Sequence, residues 1–146
     1  MTSSNFQSLS IPIWRASTVL FPTAESFLNR KDQFFDGYTY GISGTPTHTA
    51  LLGRICELEN ARRGVLVSSG LSAVNLINLT VLRAGDHVLC CESAYGPTQQ
   101  HARELMGRFG VEAEFFHPSE GGNVAAKFKT NTRLLWLEVP GSLYMD

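Results

Sequence analysis

The segment Val65–Val74, V-L-V-S-S-G-L-S-A-V, constrains this chain more than any other. Val65 to Val67 form an apolar run that reads as a buried strand, Ser68, Ser69 and Gly70 read as a tight turn, and Val74, Ile77 and Val81 recur at the spacing of one helical face. A strand that passes into a helix through small residues leaves backbone N–H groups and the positive end of the helix dipole aimed at one spot. That spot suits an anion, most often a phosphate. The same residues equally suit an ordinary strand-to-helix turn with a serine N-cap, and alone they do not decide between the two.

The rest of the chain repeats the alternation. Thr45 caps an expected helix that begins at Pro46, carries Leu51, Ile55 and Leu58 at helical spacing and runs to about Asn60. After the helix that follows Gly70, Ala84-Gly85-Asp86 is a stop, and His87 to Cys91 reads as a second short buried strand. Tyr95-Gly96-Pro97-Thr98 opens a further helix with an inner face of Ala102, Leu105, Met106 and Phe109, closed by Gly110. Val111 to Phe116 alternates as a strand, a short helix runs through Phe128, and Leu134 to Leu137 are the core of a fourth strand. Strands alternating with helices imply right-handed crossovers and a parallel sheet covered on both faces. Ligands of such sheets lie beyond the carboxyl ends of the strands. Those ends are Ser68–Leu71, Cys91–Tyr95 and Glu138–Gly141, so separate loops converge on one crevice and favour the phosphate reading.

Met1 to about Tyr40 differs. Pro12 and Pro22 interrupt it, and its apolar residues (Ile11, Ile13, Trp14, Val19, Leu20, Phe21) come in clusters without a period. It reads either as an arm that packs on another subunit or as a loop over its own domain.

Composition excludes several classes. Twelve basic and thirteen acidic residues, spread along the chain for a net charge of -1, provide no basic face for nucleic acid or an anionic membrane. No apolar run approaches the roughly 20 residues of a membrane span, and Met1 to Ser10 lacks the pattern of a signal peptide, so the cytoplasm is the expected compartment. Cys56, Cys90 and Cys91 are odd in number, and neighbours on a strand face opposite sides, so packed, reduced thiols are expected. His87 and Cys91 would lie about 13 Å apart on a strand, too far to share a metal ion. His48, His101 and His117 lack ligand-spaced companions and read as surface or cap residues; no metal is expected.

The G-x-G-x-x-G of dinucleotide sites, the Gly-Lys-Ser/Thr of a P-loop and the G-x-S-x-G elbow of a hydrolase are all absent. What remains is a small phosphorylated ligand, with Tyr95 at the next strand end available to stack on an aromatic ring. Pyridoxal phosphate combines a phosphate with such a ring.

At this point the chain resembles a family. R-A-S-T-V-L-F (Arg15–Phe21), Y-G-I-S-G-T-P-T (Tyr40–Thr47), S-S-G-L-S-A-V (Ser68–Val74), G-D-H-V-L (Gly85–Leu89), A-Y-G-P-T (Ala94–Thr98) and L-E-V-P-G-S-L (Leu137–Leu143) follow the order and spacing of the Cys/Met-metabolism pyridoxal-phosphate enzymes. The first and last segments are most similar to the cystathionine β-lyase branch. The resemblance implies an α/β, aspartate-aminotransferase-like (fold type I) architecture. Residues 1–42 would be an intersubunit arm, and residues 43–146 the truncated first part of a mainly parallel, doubly wound cofactor domain. It implies that Gly70 and Leu71 hold the cofactor phosphate through backbone N–H groups, helped by the Ser69 hydroxyl. Tyr95 would stack on the pyridine ring and assist proton transfers, and Tyr40 would reach the phosphate in a neighbouring subunit's site.

The implied partners are a cystathionine-like thioether and other copies of the chain, as a homotetramer in the full-length enzyme; γ-synthase, γ-lyase and acylhomoserine sulfhydrylase are the nearest alternatives. Ile42 stands where the family commonly has arginine, which removes a bidentate phosphate contact. Ser142 replaces a common asparagine and Val139 a small polar residue. The family's chemistry also needs a Schiff-base lysine, an acid at the pyridine nitrogen and an arginine for the substrate carboxylate. These positions lie beyond residue 146 in the family, and Lys31, Lys127 and Lys129 are poor substitutes. The expectation is an N-terminal piece of a longer enzyme, without activity by itself; a non-catalytic phosphate-binding fragment is the other reading.

Overall fold

The computed structural model describes residues 8–143 and Met145. The chain divides into two compact units, Met1–Leu66 and Val67–Asp146.

In the first unit, regular structure is short. Helix α1 (Ala24–Leu28) starts with a capping box in which the Thr23 hydroxyl accepts from the Ser26 N–H at 3.1 Å, and the Ser26 hydroxyl accepts from the Thr23 N–H at 3.2 Å. A 3₁₀ turn covers Arg30–Gln33. Helix α2 (Pro46–Leu58) begins at the expected cap: the Thr45 N–H donates to His48 Nδ1 at 3.1 Å, so His48 is a capping residue. It ends two residues early, before Asn60 turns into the left-handed region at φ 50°.

The inner face of α2 is not the expected one. Leu51, Ile55 and Leu58 are exposed, whereas Gly64 lies against Leu52 and Cys56, where a Cβ would come within 2.9 Å of Leu52 Cδ2. The helix carries two apolar stripes, and periodicity does not say which one finds a neighbour.

The irregular N-terminal segment is fastened within its own unit. The Gly41 N–H donates to the Ser17 carbonyl at 2.7 Å, the Trp14 N–H to Thr47 Oγ1 at 2.8 Å, and Thr47 Oγ1 to the Pro12 carbonyl at 3.2 Å. The approach at Gly41 leaves no space for a side chain, because a Cβ would stand 2.0 Å from the Ala16 carbonyl oxygen. Ile11, Ile13, Trp14 and Leu20 nonetheless remain exposed.

The second unit is built on a parallel sheet. Helix α3 (Gly70–Val81) precedes strand β1 (His87–Cys91); α4 (Gly96–Gln100) continues into a π-helical segment, His101–Met106; β2 (Glu112–Phe116) follows, then a 3₁₀ stretch (Pro118–Lys127) and β3 (Thr132–Trp136). The order is β2-β1-β3, with His87 to Cys91 beside Glu112 to Phe116 in unbroken register. Strand β1 is central and every residue of it is buried, which is why a short run without polar alternation, Val88 to Cys91 behind His87, sufficed to locate it. Successive side chains serve opposite faces: Val88 packs with Leu82, Met106 and Val111 beneath Trp136, and Leu89 and Cys91 pack with Phe116. Each such fully buried aliphatic side chain contributes about 2 kcal/mol of transfer free energy.

Several expectations are corrected here. Val65 to Val67 form no strand: no described segment pairs with them, and Val65 is 74% exposed. An apolar run becomes a strand only where a ladder partner satisfies its backbone, so the described sheet has three strands rather than four.

On α3, Ile77 and Val81 are exposed, and the residue buried against the sheet is Asn78, whose Oδ1 accepts from Trp136 Nε1 at 2.9 Å. Its polarity hid it from a hydrophobic-period argument, yet a buried indole N–H needs an acceptor. His101 is buried rather than on the surface, and Phe109 is exposed. The wider π turn shifts the phase of the side chains beyond it; the helix ends at Gly110, φ 76°, with the Val111 N–H returning to the Met106 carbonyl at 3.1 Å. Among the described residues no helix is long and apolar enough to cross a membrane.

Candidate functional site

Helix α3 returns to β1 through only Leu82–Asp86, so the two run antiparallel and the start of α3 lies at the carboxyl end of the sheet. Ser69, in extended backbone (φ -162°, ψ 163°), caps this helix, its Oγ accepting from the Ser72 N–H at 3.1 Å. Ser68 and Ser69 hydroxyls both lie within 3.2 Å of Ser72 Oγ. Among the described residues nothing engages the N–H groups of Gly70 or Leu71, and a Cβ on Gly70 would meet nothing within 4 Å. Two free main-chain donors at the positive end of a twelve-residue helix, facing open space beside hydroxyls, fit a phosphate.

Tyr95 follows β1 at the same end. Leu71 and Pro97 line one depression of about 240 Å³ with Gln100, His101, Glu104 and Leu105, so the start of α3 and the start of α4 are neighbours. The Tyr95 side chain is 50% exposed. Its N–H donates to Glu138 Oε2 at 2.8 Å, its carbonyl accepts from the Thr98 N–H at 2.8 Å, and Gln99 Nε2 donates to the carbonyls of Glu92 and Ala94. The segment after β3 is joined to the same loop, since the Ser142 N–H donates to the Ser93 carbonyl at 2.8 Å. Of the residues the sequence singled out, Ser69, Gly70, Leu71 and Tyr95 are thus brought to one end of the second unit; Tyr40 and Ile42 belong to the first unit, where both are exposed. Glu138 was missed. It lay inside a quoted motif, but a carboxylate that serves a main-chain N–H forty-three residues away leaves no local pattern.

The amino end of the sheet is chemically different. His87 is wholly buried, with Nδ1 2.7 Å from Thr132 Oγ1 and Nε2 3.5 Å from Glu114. Lys129 Nζ lies 2.8 Å from Glu112 and 2.9 Å from Glu114; Lys127 Nζ lies 3.1 Å from Glu120. These hydrogen bonds lower the pKa of Glu112 and Glu114 and raise that of Lys129 above the usual lysine range. A lysine held as the ammonium by carboxylates is the reverse of an activated amine nucleophile. Elsewhere, burial pushes the Cys90 thiol up to about 11, which keeps it protonated and inert.

A parallel sheet whose carboxyl end presents free helix-start donors, hydroxyls and a half-exposed tyrosine defines an α/β protein of the kind that suits a phosphorylated ligand. The match to known proteins narrows that class: the model of the Cys/Met metabolism PLP-dependent enzymes covers residues 1–146, and the chain belongs to this family. It is 44% identical over 131 residues to a protein of Rhizobium johnstonii provisionally called a cystathionine beta-lyase, covering 90% of this chain and 32% of that protein. It is 37% identical over 137 residues to the L-methionine gamma-lyase of Fusobacterium nucleatum, covering 94% of this chain and 35% of that enzyme.

The crystal structure of metB from Corynebacterium glutamicum superposes with a TM-score of 0.83 at 29% identity, over 98% of this chain and 35% of that one. The architecture is that of the fold-type-I pyridoxal-phosphate enzymes, and the chain spans about a third of the length of the relatives it matches.

Proposed function

We propose that these residues form the N-terminal part of a cytoplasmic carbon–sulfur lyase of methionine biosynthesis that cleaves cystathionine by β-elimination, giving homocysteine, pyruvate and ammonia. The observation that carries this reading is the unengaged pair of N–H groups at Gly70 and Leu71, at the sheet end that also bears Tyr95, in a chain of a pyridoxal-phosphate-dependent family. Gly70 and Leu71 bind the cofactor phosphate and the helix dipole favours its charge, while the Ser69 oxygen caps α3 and orients the first turn. Tyr95 offers its exposed ring for stacking and its hydroxyl for proton transfer, and Tyr40 reaches the phosphate of a neighbouring copy in a homo-oligomer. Because Ile42 carries no charge, the phosphate depends on main-chain donors and hydroxyls. When bound, pyridoxal phosphate supplies an electron sink for negative charge at the substrate's α-carbon, which lets the β-thiolate leave.

The lysine, the acid and the arginine this chemistry needs are contributed from outside residues 1–146, and the segment alone does not turn over. The ion pairs of Lys127 and Lys129 at the opposite end of the sheet support that assignment. The likeness to L-methionine gamma-lyase favours one second reading, γ-elimination by the same cofactor site.

The test is to express the complete open reading frame that holds this segment, load it with pyridoxal phosphate, and assay cystathionine. Pyruvate with homocysteine bears out the β-lyase, and 2-oxobutyrate with cysteine the γ-reading. No cofactor uptake by the complete product sinks both.

A further inference from the structure

We infer that Glu138 is a positioning residue for Tyr95: its carboxylate, from the segment after β3, fixes the main chain from which the Tyr95 ring projects into the cofactor site. The inference rests on the cofactor reading above and extends it to a residue that never touches the cofactor.

A tyrosine ring is aimed by its Cα–Cβ bond, and that bond is aimed by the peptide planes on either side. At Tyr95 both planes are held. The preceding plane ends in the Tyr95 N–H, which donates to Glu138 Oε2 at 2.8 Å; the following plane carries the Tyr95 carbonyl, which accepts from the Thr98 N–H at 2.8 Å and the Gln99 N–H at 3.2 Å. Of these partners, Thr98 and Gln99 move with Tyr95 as part of the same turn. Glu138 does not, because it stands on a different strand end, and it is the contact that references the tyrosine to the sheet. Tyr95 is in non-helical backbone (φ -48°, ψ 127°), so its N–H has no helical acceptor of its own.

The carboxylate is half-buried, and a bond from an N–H to an ionised acceptor is shorter and stronger than a neutral one. Neighbouring contacts hold the same junction: the Ser142 N–H donates to the Ser93 carbonyl at 2.8 Å, and Ser93 Oγ lies 3.5 Å from the Glu138 carbonyl and 3.0 Å from Cys91 Sγ. The residue is only half covered, and its main chain is held from behind.

The experiment compares wild type, Glu138→Ala and Glu138→Gln in the complete pyridoxal-phosphate-loaded protein. It measures hydrogen exchange of the peptide Glu92–Thr98, cofactor affinity, and the induced circular dichroism of the bound cofactor. In Glu138→Ala the peptide exchanges faster, cofactor binding weakens about tenfold and the induced dichroism shrinks; Glu138→Gln, which keeps an acceptor oxygen, restores binding to within about threefold. Faster exchange with affinity and dichroism unchanged overturns the inference and leaves the cofactor reading standing. Wild type that takes up no cofactor overturns the reading and the inference together. If Glu138→Ala fails to fold, Glu138→Gln and Glu138→Asp decide: equal loss of dichroism in both, despite Gln keeping its oxygen at the same reach, overturns it.

Discussion

The two ends of the β-sheet in the second unit are finished in opposite ways. At the amino end, charges answer one another: Lys129 lies between Glu112 and Glu114, Lys127 reaches Glu120, and buried His87 is held by Thr132. At the carboxyl end donors are left over, at Gly70 and Leu71, and the Glu138 carboxylate serves a main-chain N–H instead of a cation. Carboxylates and ammonium groups that already pair with one another have little left to offer a ligand, whereas unmatched donors beside a half-exposed ring do. The difference teaches that polarity alone does not mark a site: the amino end carries charges that pair with one another, and the carboxyl end carries main-chain donors that no described group engages.

The sharpest way to break that contrast is covalent. If the complete protein is loaded with pyridoxal phosphate, reduced with borohydride and digested, the pyridoxyl group should fall on a lysine outside residues 1–146. Recovery on Lys127 or Lys129 would reverse the assignment of the two ends. A smaller effect is expected from Gly70→Pro. Proline suits the first position of a helix, and the preceding Ser69 is already extended, so α3 survives while one donor disappears. Pyridoxal-phosphate affinity should fall by about tenfold, roughly 1.4 kcal/mol, with an unchanged urea midpoint.

How far the sequence showed these features depended on where each residue's partner lies. Strand β1 was legible to the residue because burial on both faces demands a continuous apolar run, and α2 and α3 were legible at their starts because Thr45, Pro46 and Ser69 are local signals. Val65–Val67 is an apolar run too, and it is not a strand, since pairing is a property of a neighbour and not of the run itself. Asn78 and Glu138 were invisible for the related reason that their partners, Trp136 and Tyr95, are distant in the chain. Gly70 and Leu71 were named through the family resemblance, the small residues around them marking only a helix start that could suit an anion; that no described group engages their N–H groups is visible only in the coordinates.

Acid should weaken the second unit in two separate windows. Burial holds His101 below its usual value, so as pH falls below about 6.5 the unfolded chain takes up a proton that the folded chain resists, and stability drops. Glu112, Glu114 and Glu120 are held low by Lys129, the His117 N–H and Lys127; their stabilisation is present above about 4.5 and is lost as pH falls through the lowered values. Urea midpoints measured across pH should therefore decline in two steps, with His101→Gln removing only the upper one. The smallest effect is expected from Lys129→Met. These pairs are largely exposed, so stability should change slightly and the change should shrink in high salt, while cofactor affinity stays the same. An affinity loss there would mean the two ends are coupled.

Cys90 and Cys91 lie side by side on the buried central strand, and Cys90's proton is held to about pH 11, while Cys56 is partly accessible. The molecule thereby carries its own reporter of sheet integrity. A thiol reagent added to the native chain should count one cysteine quickly, and the appearance of the other two should keep time with the opening of β1.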